Sequence, residues 1–355
     1  MYHRGSTKSF RVKRWEGAGS LKTLYKAYYS VTTRLKPPSD IQMREFAFQP
    51  FETESYIRHI SFKDFNELRG YLEANAPRHA YYSIALYQLP DARSMEEKGW
   101  LGSEILVDID VDRLRGCREL KLEEGVELVD DNCLMEGFKA ALRVKRMLYK
   151  DLGFDSRVYF SGSRGFHVLG YCEYCLTLGR EERGEIASYI AGLDLSLRHI
   201  IPLRPRKGVP ATPTAEDPGW RGLIGEQLEL KGVSRTLEVE EGVLESIVEE
   251  LKVPVDMQVT KDPSRLARLI GSVNGKSSLL VVEVEGDSFK PTLELSPFRG
   301  EVTVKARLDL GEVELLGLRV GFKRGEVLDL EAPVAILLAS KNIVTPLSGE
   351  VWVEH

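Results

Sequence analysis

The chain has 355 residues, 43% of them hydrophobic and 29% charged, with a formal net charge of -5 and four cysteines. That suffices for one elaborate domain or two smaller ones, and it excludes a disulfide-scaffolded secreted module and a protein coated in basic surface. Any contact with nucleic acid would then have to come from local clusters of cations, and no stretch nears the roughly 20 consecutive apolar residues of a membrane span. The opening MYHRGSTKSFRVKRW lacks the apolar core of a signal peptide, so a cytoplasmic chain without membrane attachment is expected.

Residues 1–20 are basic and weakly patterned and read as a mobile tail ahead of a folded unit over 21–355, whose first helix spans about 21–32. Short strand-like pieces over 43–87 flank a helix over 62–74. The sharpest local pattern comes next. In Glu104-Ile105-Leu106-Val107-Asp108-Ile109-Asp110-Val111-Asp112, apolar residues at 105, 107, 109 and 111 place Asp108, Asp110 and Asp112 on the opposite strand face. Like charges crowded this way call for a compensating cation or for open solvent. A hard ion such as Mg²⁺ takes one or two carboxylates plus phosphate oxygens, which alternating aspartates supply; the bland alternative is a solvated edge strand.

An insertion over about 113–131 leads into a helix that Asp131 or Asn132 can cap and Gly153 can end. Leu134, Phe138, Leu142 and Leu148 form its apolar stripe, leaving Lys139, Arg143, Arg146 and Lys150 on a solvated face. Val158-Tyr159-Phe160 and Phe166-His167-Val168-Leu169 then read as a hairpin about Ser161-Gly162-Ser163-Arg164-Gly165. Glycines let backbone N–H groups converge on an anion, Arg164 offers a phosphate-matching fork, and His167 can donate to a phosphate oxygen. No Gly-Lys-Ser/Thr follows, so this is not a P-loop, and a plain turn with a structural histidine stands as the alternative.

The Pro- and Gly-rich stretch 202–225 reads as a long loop in an accessory segment over about 190–252, with a helix at 244–251. Val255 to Thr260 alternates like a strand and carries Asp256; Asp262-Pro263 then opens a helix over 264–270, putting Arg265 and Arg268 on one face before Lys276. This is either a third metal carboxylate beside a triphosphate clamp or an ordinary ion-paired surface. Strand-like sequence returns at 279–284, 301–306 and 313–320. Helices and strands mix without a βαβ rhythm, which predicts an α+β fold.

Taken together, Pro37-Pro38-Ser39-Asp40-Ile41, Arg44-Glu45-Phe46-Ala47-Phe48, Arg58-His59-Ile60-Ser61-Phe62, Lys98-Gly99-Trp100, Val107-Asp108-Ile109-Asp110, Ser161-Gly162-Ser163-Arg164-Gly165-Phe166-His167 and the run from Asp256 through Lys276 resemble, in this order, the small catalytic subunit of archaeal and eukaryotic DNA primases. The resemblance covers most of 21–278. It implies a mixed-sheet primase catalytic fold with a helical accessory segment, and Asp108, Asp110 and Asp256 as ligands of two Mg²⁺ or Mn²⁺ ions. It further implies Ser161, Arg164, His167 and Arg268 as triphosphate contacts, with Arg58, Arg265 and Lys276 as further nucleotide contacts. The implied activity is synthesis of short RNA primers, with DNA primers also open, on a single-stranded DNA template from nucleoside triphosphates. The implied partner is a large iron–sulfur subunit. A repair-type polymerase would use the same residues, whereas a nucleic-acid-binding scaffold would leave the three acids unexplained.

The chain departs from the family pattern in two places. Where relatives carry a Cys/His zinc cluster after the Asp-x-Asp strand, it has only Cys117 and Cys133, so a structural Zn²⁺ has no evident ligand set, and a disulfide, a metal or free thiols stay open. Cys172 and Cys175 have Cys-x-x-Cys spacing at a different place, and Asn274 stands where some relatives have a histidine.

Overall fold

The computed structural model describes residues 9–12, 18–117, 120–200, 212–233 and 240–354. Helices and antiparallel sheets mix, as the lack of βαβ rhythm predicts. The central sheet runs Val282–Val284, Asp155–Phe160, Gly165–Tyr171, Ile105–Asp110. Ile105, Val107 and Ile109 are buried on one face, where the helix Asp131–Arg146 packs. The approach is close: the Phe138 and Phe166 rings lie 5.8 Å apart, and a Cβ on Gly137 would stand 2.5 Å from Val111 Cγ1. Filling that face with apolar side chains turns Asp108, Asp110 and His167 to the other.

A second sheet, ordered Leu266–Arg268, His79–Ser83, Phe46–Gln49, Ile57–Ile60, supplies the opposing wall of a cleft. Buried Arg44 fixes its position. Its guanidinium donates in a fork to Asp40 (2.8 Å to each oxygen) and reaches Glu104 Oε2 at 2.9 Å, just ahead of the Asp108 strand. A third sheet, Ser9–Val12, Val344–Val353, Phe298–Ala306, Val327–Glu331, packs on the helix Ala332–Ser340, which is apolar all round and accordingly buried.

Several expectations change. Ser9–Val12, read as part of a mobile tail, is an edge strand paired with Val344–Val353, an association no local pattern reveals. The 62–74 helix is Phe65–Asn75, started by Asp64, whose Oδ1 accepts from the N–H groups of Asn66 and Glu67. Asp130 rather than Asp131 or Asn132 caps the following long helix. Asp131 instead accepts from the N–H groups of Leu316 (2.9 Å) and Gly317 (2.6 Å), which turn the expected single strand at 313–320 into a hairpin, Leu310–Leu315 with Leu318–Phe322. Leu316 and Gly317 both have positive φ, which suits a tight turn and no strand interior.

Of the 202–225 loop, residues 202–211 lie outside the described residues, and Gly219–Leu230 is a helix that buries Trp220, Leu223, Ile224 and Leu228. Two assignments near the third acid are reversed. The 255–260 strand is the helix Met257–Lys261, because Asp256 caps it. The 264–270 helix is the strand Leu266–Arg268, claimed by pairing with His79–Ser83. Segments this short have no intrinsic helix stability, so tertiary pairing decides them. Asp112 also leaves the strand, which ends at Asp110, for the short 3₁₀ turn Val111–Arg113.

Candidate active site

Asp108 and His167 are cross-strand partners, with Nε2 of the imidazole 3.4 Å from Asp108 Oδ1. Asp110 stands opposite Gly165, where a Cβ would lie 2.4 Å from the Ile109 carbonyl oxygen and 3.3 Å from Asp110 Oδ1. Glycine alone lets the hairpin turn close over that carboxylate. Asp256 arrives from a distant part of the chain and donates its backbone N–H to the Asp108 carbonyl at 3.2 Å. Its Oδ1 caps the Met257–Lys261 helix, leaving Oδ2 toward Arg113 at 3.4 Å. The three acids of the sequence reading therefore meet.

Their electrostatics are those of crowded carboxylates. Burial pushes the Asp108 carboxyl above its usual range against the pull of Arg268, and Asp256 adds to the rise. Burial also raises Asp110, and the charge of Asp108 raises it further. Arg164 lies among Asp110, Asp112 and Glu127, at 3.6, 3.5 and 3.4 Å. Asp112 Oδ1 is buried without a partner.

Among the described residues no three His, Cys, Asp or Glu side chains form a ready-made metal cage. Mg²⁺ seldom uses one: it is held by one or two carboxylates and keeps positions for water and substrate phosphate. The hard oxygen donors of Asp108 and Asp110, raised by burial and by a neighbouring carboxylate's charge, and the Oδ2 of Asp256 that the helix cap leaves over fit such an ion, whose charge would offset both.

Cations face these acids across a cavity of about 430 Å³ lined by Arg58, Arg265 and Arg268 together with Asp108, His167 and Tyr81. The Arg268 guanidinium lies 5.0 Å from the centre of the Tyr81 ring and donates to His79 Nδ1 at 3.0 Å. Arg58 Nε donates to Glu45 Oε1 at 2.9 Å, and this buried carboxylate also takes the ammonium of buried Lys98 at 3.0 Å. Arg265 is exposed at the rim. Lys276 is drawn below the ordinary lysine pKa by burial of its ammonium and by Arg164 and Arg268. Ser161 is buried, its carbonyl accepting from Asn274 Nδ2 at 2.8 Å. Burial and Arg268 hold His167 neutral, with a pKa near 3.

All ten residues singled out in the sequence thus belong to one locality. Asp108, His167, Arg58, Arg265 and Arg268 line the cavity, and the others join it through the contacts above. Sequence reasoning gave no role to Glu45 and Lys98, although both fall in the quoted motifs, and it passed over His79, Tyr81 and Arg113. Alternation along 79–83 was the available signal for His79 and Tyr81; nothing local marks Arg113. The cysteines are joined in two disulfides, Cys117 to Cys133 and Cys172 to Cys175, with Cα atoms 5.3 and 5.0 Å apart.

A cleft that faces clustered carboxylates with phosphate-matching cations is the architecture of a nucleotidyltransferase. The family model for the DNA primase small subunit matches residues 107–285. The DNA primase small subunit PriS of Aeropyrum pernix is 46% identical over 95% of this chain and 97% of its own length. That of Sulfolobus acidocaldarius is 34% identical over 90% of this chain and 92% of its own. Among solved structures, the polymerase domain from Mycobacterium tuberculosis Ligase D in complex with DNA aligns over 75% of this chain and 80% of its own, at 10% identity and a TM-score of 0.37, too distant to bear on the site. The chain belongs to the DNA primase small subunit family.

Proposed function

We propose that this chain synthesises short RNA primers on single-stranded DNA, and DNA primers where deoxynucleotides are supplied, as the catalytic subunit paired with a large iron–sulfur subunit. The observation that carries the reading is the Asp256 N–H to Asp108 carbonyl contact, which brings the third acid to the Asp-x-Asp strand beside a cation-lined cavity. Asp108, Asp110 and Asp256 would hold two divalent ions, Mg²⁺ or Mn²⁺. Bound there, such ions activate a 3′-hydroxyl for attack on the α-phosphate of a nucleoside triphosphate and steady the leaving pyrophosphate.

The chain's own part is positioning and charge. Arg268, Lys276 and Arg164 neutralise the triphosphate tail, and Arg164 is already loosely held among carboxylates that it can exchange for phosphate. Neutral His167 can donate Nε2–H to a phosphate oxygen while keeping next to Asp108. The Ser161 to Gly165 turn offers backbone N–H groups, and Arg58, braced by Glu45, stands at the cavity wall for the nucleotide's remainder. Template contact would be through phosphates and nearly independent of sequence.

The test is dinucleotide formation on a primer-free single-stranded template with the Asp108→Ala/Asp110→Ala double variant. Loss of product with circular dichroism unchanged is expected; a double variant that still makes dinucleotides defeats the assignment. Extension of existing ends without dinucleotide formation by the native chain and its partner would point instead to a repair-type polymerase.

A further inference from the structure

His79 is 2% exposed and belongs to no motif discussed above, yet it lies between two parts of the proposed phosphate clamp. Its Nδ1 takes Nη1–H of Arg268 at 3.0 Å and the backbone N–H of Gly275 at 3.3 Å. A guanidinium and a backbone N–H can only donate, so Nδ1 carries no proton and the ring is the neutral Nε2–H tautomer. Burial and the nearby charges of Arg268, Arg78 and Lys276 favour the same neutral form.

Gly275 leads the contact on to one more segment. In the same turn Asn274 Oδ1 accepts from the Lys276 N–H at 3.0 Å, and Asn274 Nδ2 donates to the Ser161 carbonyl at 2.8 Å. Ser277 Oγ donates to the Gly162 carbonyl. One imidazole nitrogen therefore fixes the strand bearing Arg268 and the turn bearing Lys276, and through Asn274 and Ser277 that turn grips the Ser161 to Gly165 hairpin turn. The Tyr81 ring, two residues beyond His79 on the His79–Ser83 strand, lies under the guanidinium, its centroid 5.0 Å away.

We propose that His79 is a positioning residue for nucleotide binding: its Nδ1 acceptor sets Arg268 and the Lys276 turn in register, so that both can meet one triphosphate. The inference rests on the reading of Arg268 as a phosphate contact. Removing the acceptor leaves the buried Gly275 N–H and one half-buried Arg268 N–H unpaired, and these would turn to other acceptors, moving the arginine and the turn apart.

The experiment uses the full chain with its large subunit and compares four variants: His79→Asn, His79→Gln, His79→Leu and Arg268→Ala. Asparagine puts its amide oxygen close to where Nδ1 stood; glutamine places its amide near Nε2 and leucine offers no acceptor. The readouts are affinity for a fluorescent non-hydrolysable nucleoside triphosphate in the presence of Mn²⁺, KM and kcat for primer synthesis, and melting temperature as a check on folding. His79→Leu and His79→Gln should weaken nucleotide binding about 10-fold and raise KM more than they lower kcat, while His79→Asn stays within about threefold of the native chain. On an Arg268→Ala background, His79→Leu should cost far less than it does alone.

Should His79→Leu and His79→Gln bind nucleotide as the native chain does while Arg268→Ala does not, the role of His79 is overturned and the reading of Arg268 stands. Should Arg268→Ala itself bind normally, that reading falls and the inference falls with it. If His79→Leu fails to fold, the comparison of Asn with Gln decides: equal loss in both overturns the proposal.

Discussion

At the scale of single residues, the site holds charges that the fold would be easier without. Asp108 and Asp110 are raised by burial and crowding, so removing one charge relieves the metal-free protein. Asp108→Asn should therefore lose roughly 1,000-fold in primer synthesis while its melting temperature without divalent ions stays level or rises. A clear fall in melting temperature would mean that the carboxylate is structural. His79 gives a pH signature of the opposite kind. Its pKa falls from 6.5 to about 2 in the fold, so below about pH 6.5 the unfolded chain takes up a proton that the native chain refuses. Stability is then complete above that pH and is lost as pH falls, by ~2 kcal/mol for this group near pH 5. Thermal melts between about pH 7.5 and 5 should show a shallower decline for His79→Asn than for the native chain.

Elements show why part of the site was legible and part was not. The Asp108 strand and the Ser161 hairpin could be read because a period-2 pattern and a glycine turn are local signals, and all three strands form, the first ending at Asp110 before it reaches Asp112. The 255–260 and 264–270 segments were assigned the wrong type because each is only a few residues long and is claimed by a partner remote in sequence. Asp256 and Arg268 still come to the cavity beside Asp108, since they were singled out by order along the chain and not by conformation. Two substitutions test the packing argument. Gly165→Ala forces a Cβ against the Ile109 carbonyl, so ~2 kcal/mol of stability should be lost together with most activity, read from denaturant titration and primer assay. Asp131→Ala releases two backbone donors in the Leu310 to Phe322 hairpin and should cost ~2 kcal/mol with nucleotide affinity unchanged.

For the whole molecule, a net charge of -5 and a cation-lined cleft mean that the proposed binding to DNA would be local and electrostatic. With three to four phosphates neutralised, affinity for single-stranded DNA should fall about 20- to 50-fold between about 50 and 200 mM salt, measurable by fluorescence anisotropy. A salt-independent affinity would require a different mode of contact. The amino-acid sequence alone marked the candidate side chains of the site, because alternation, glycine turns and the order of short motifs are properties of local chain. Only the tertiary structure decided that Asp256 rests on Asp108, that Glu45 braces Arg58 and that His79 joins Arg268 to the Lys276 turn. These are hydrogen bonds between residues far apart in the chain, and their partners are chosen by how the two sheets pack.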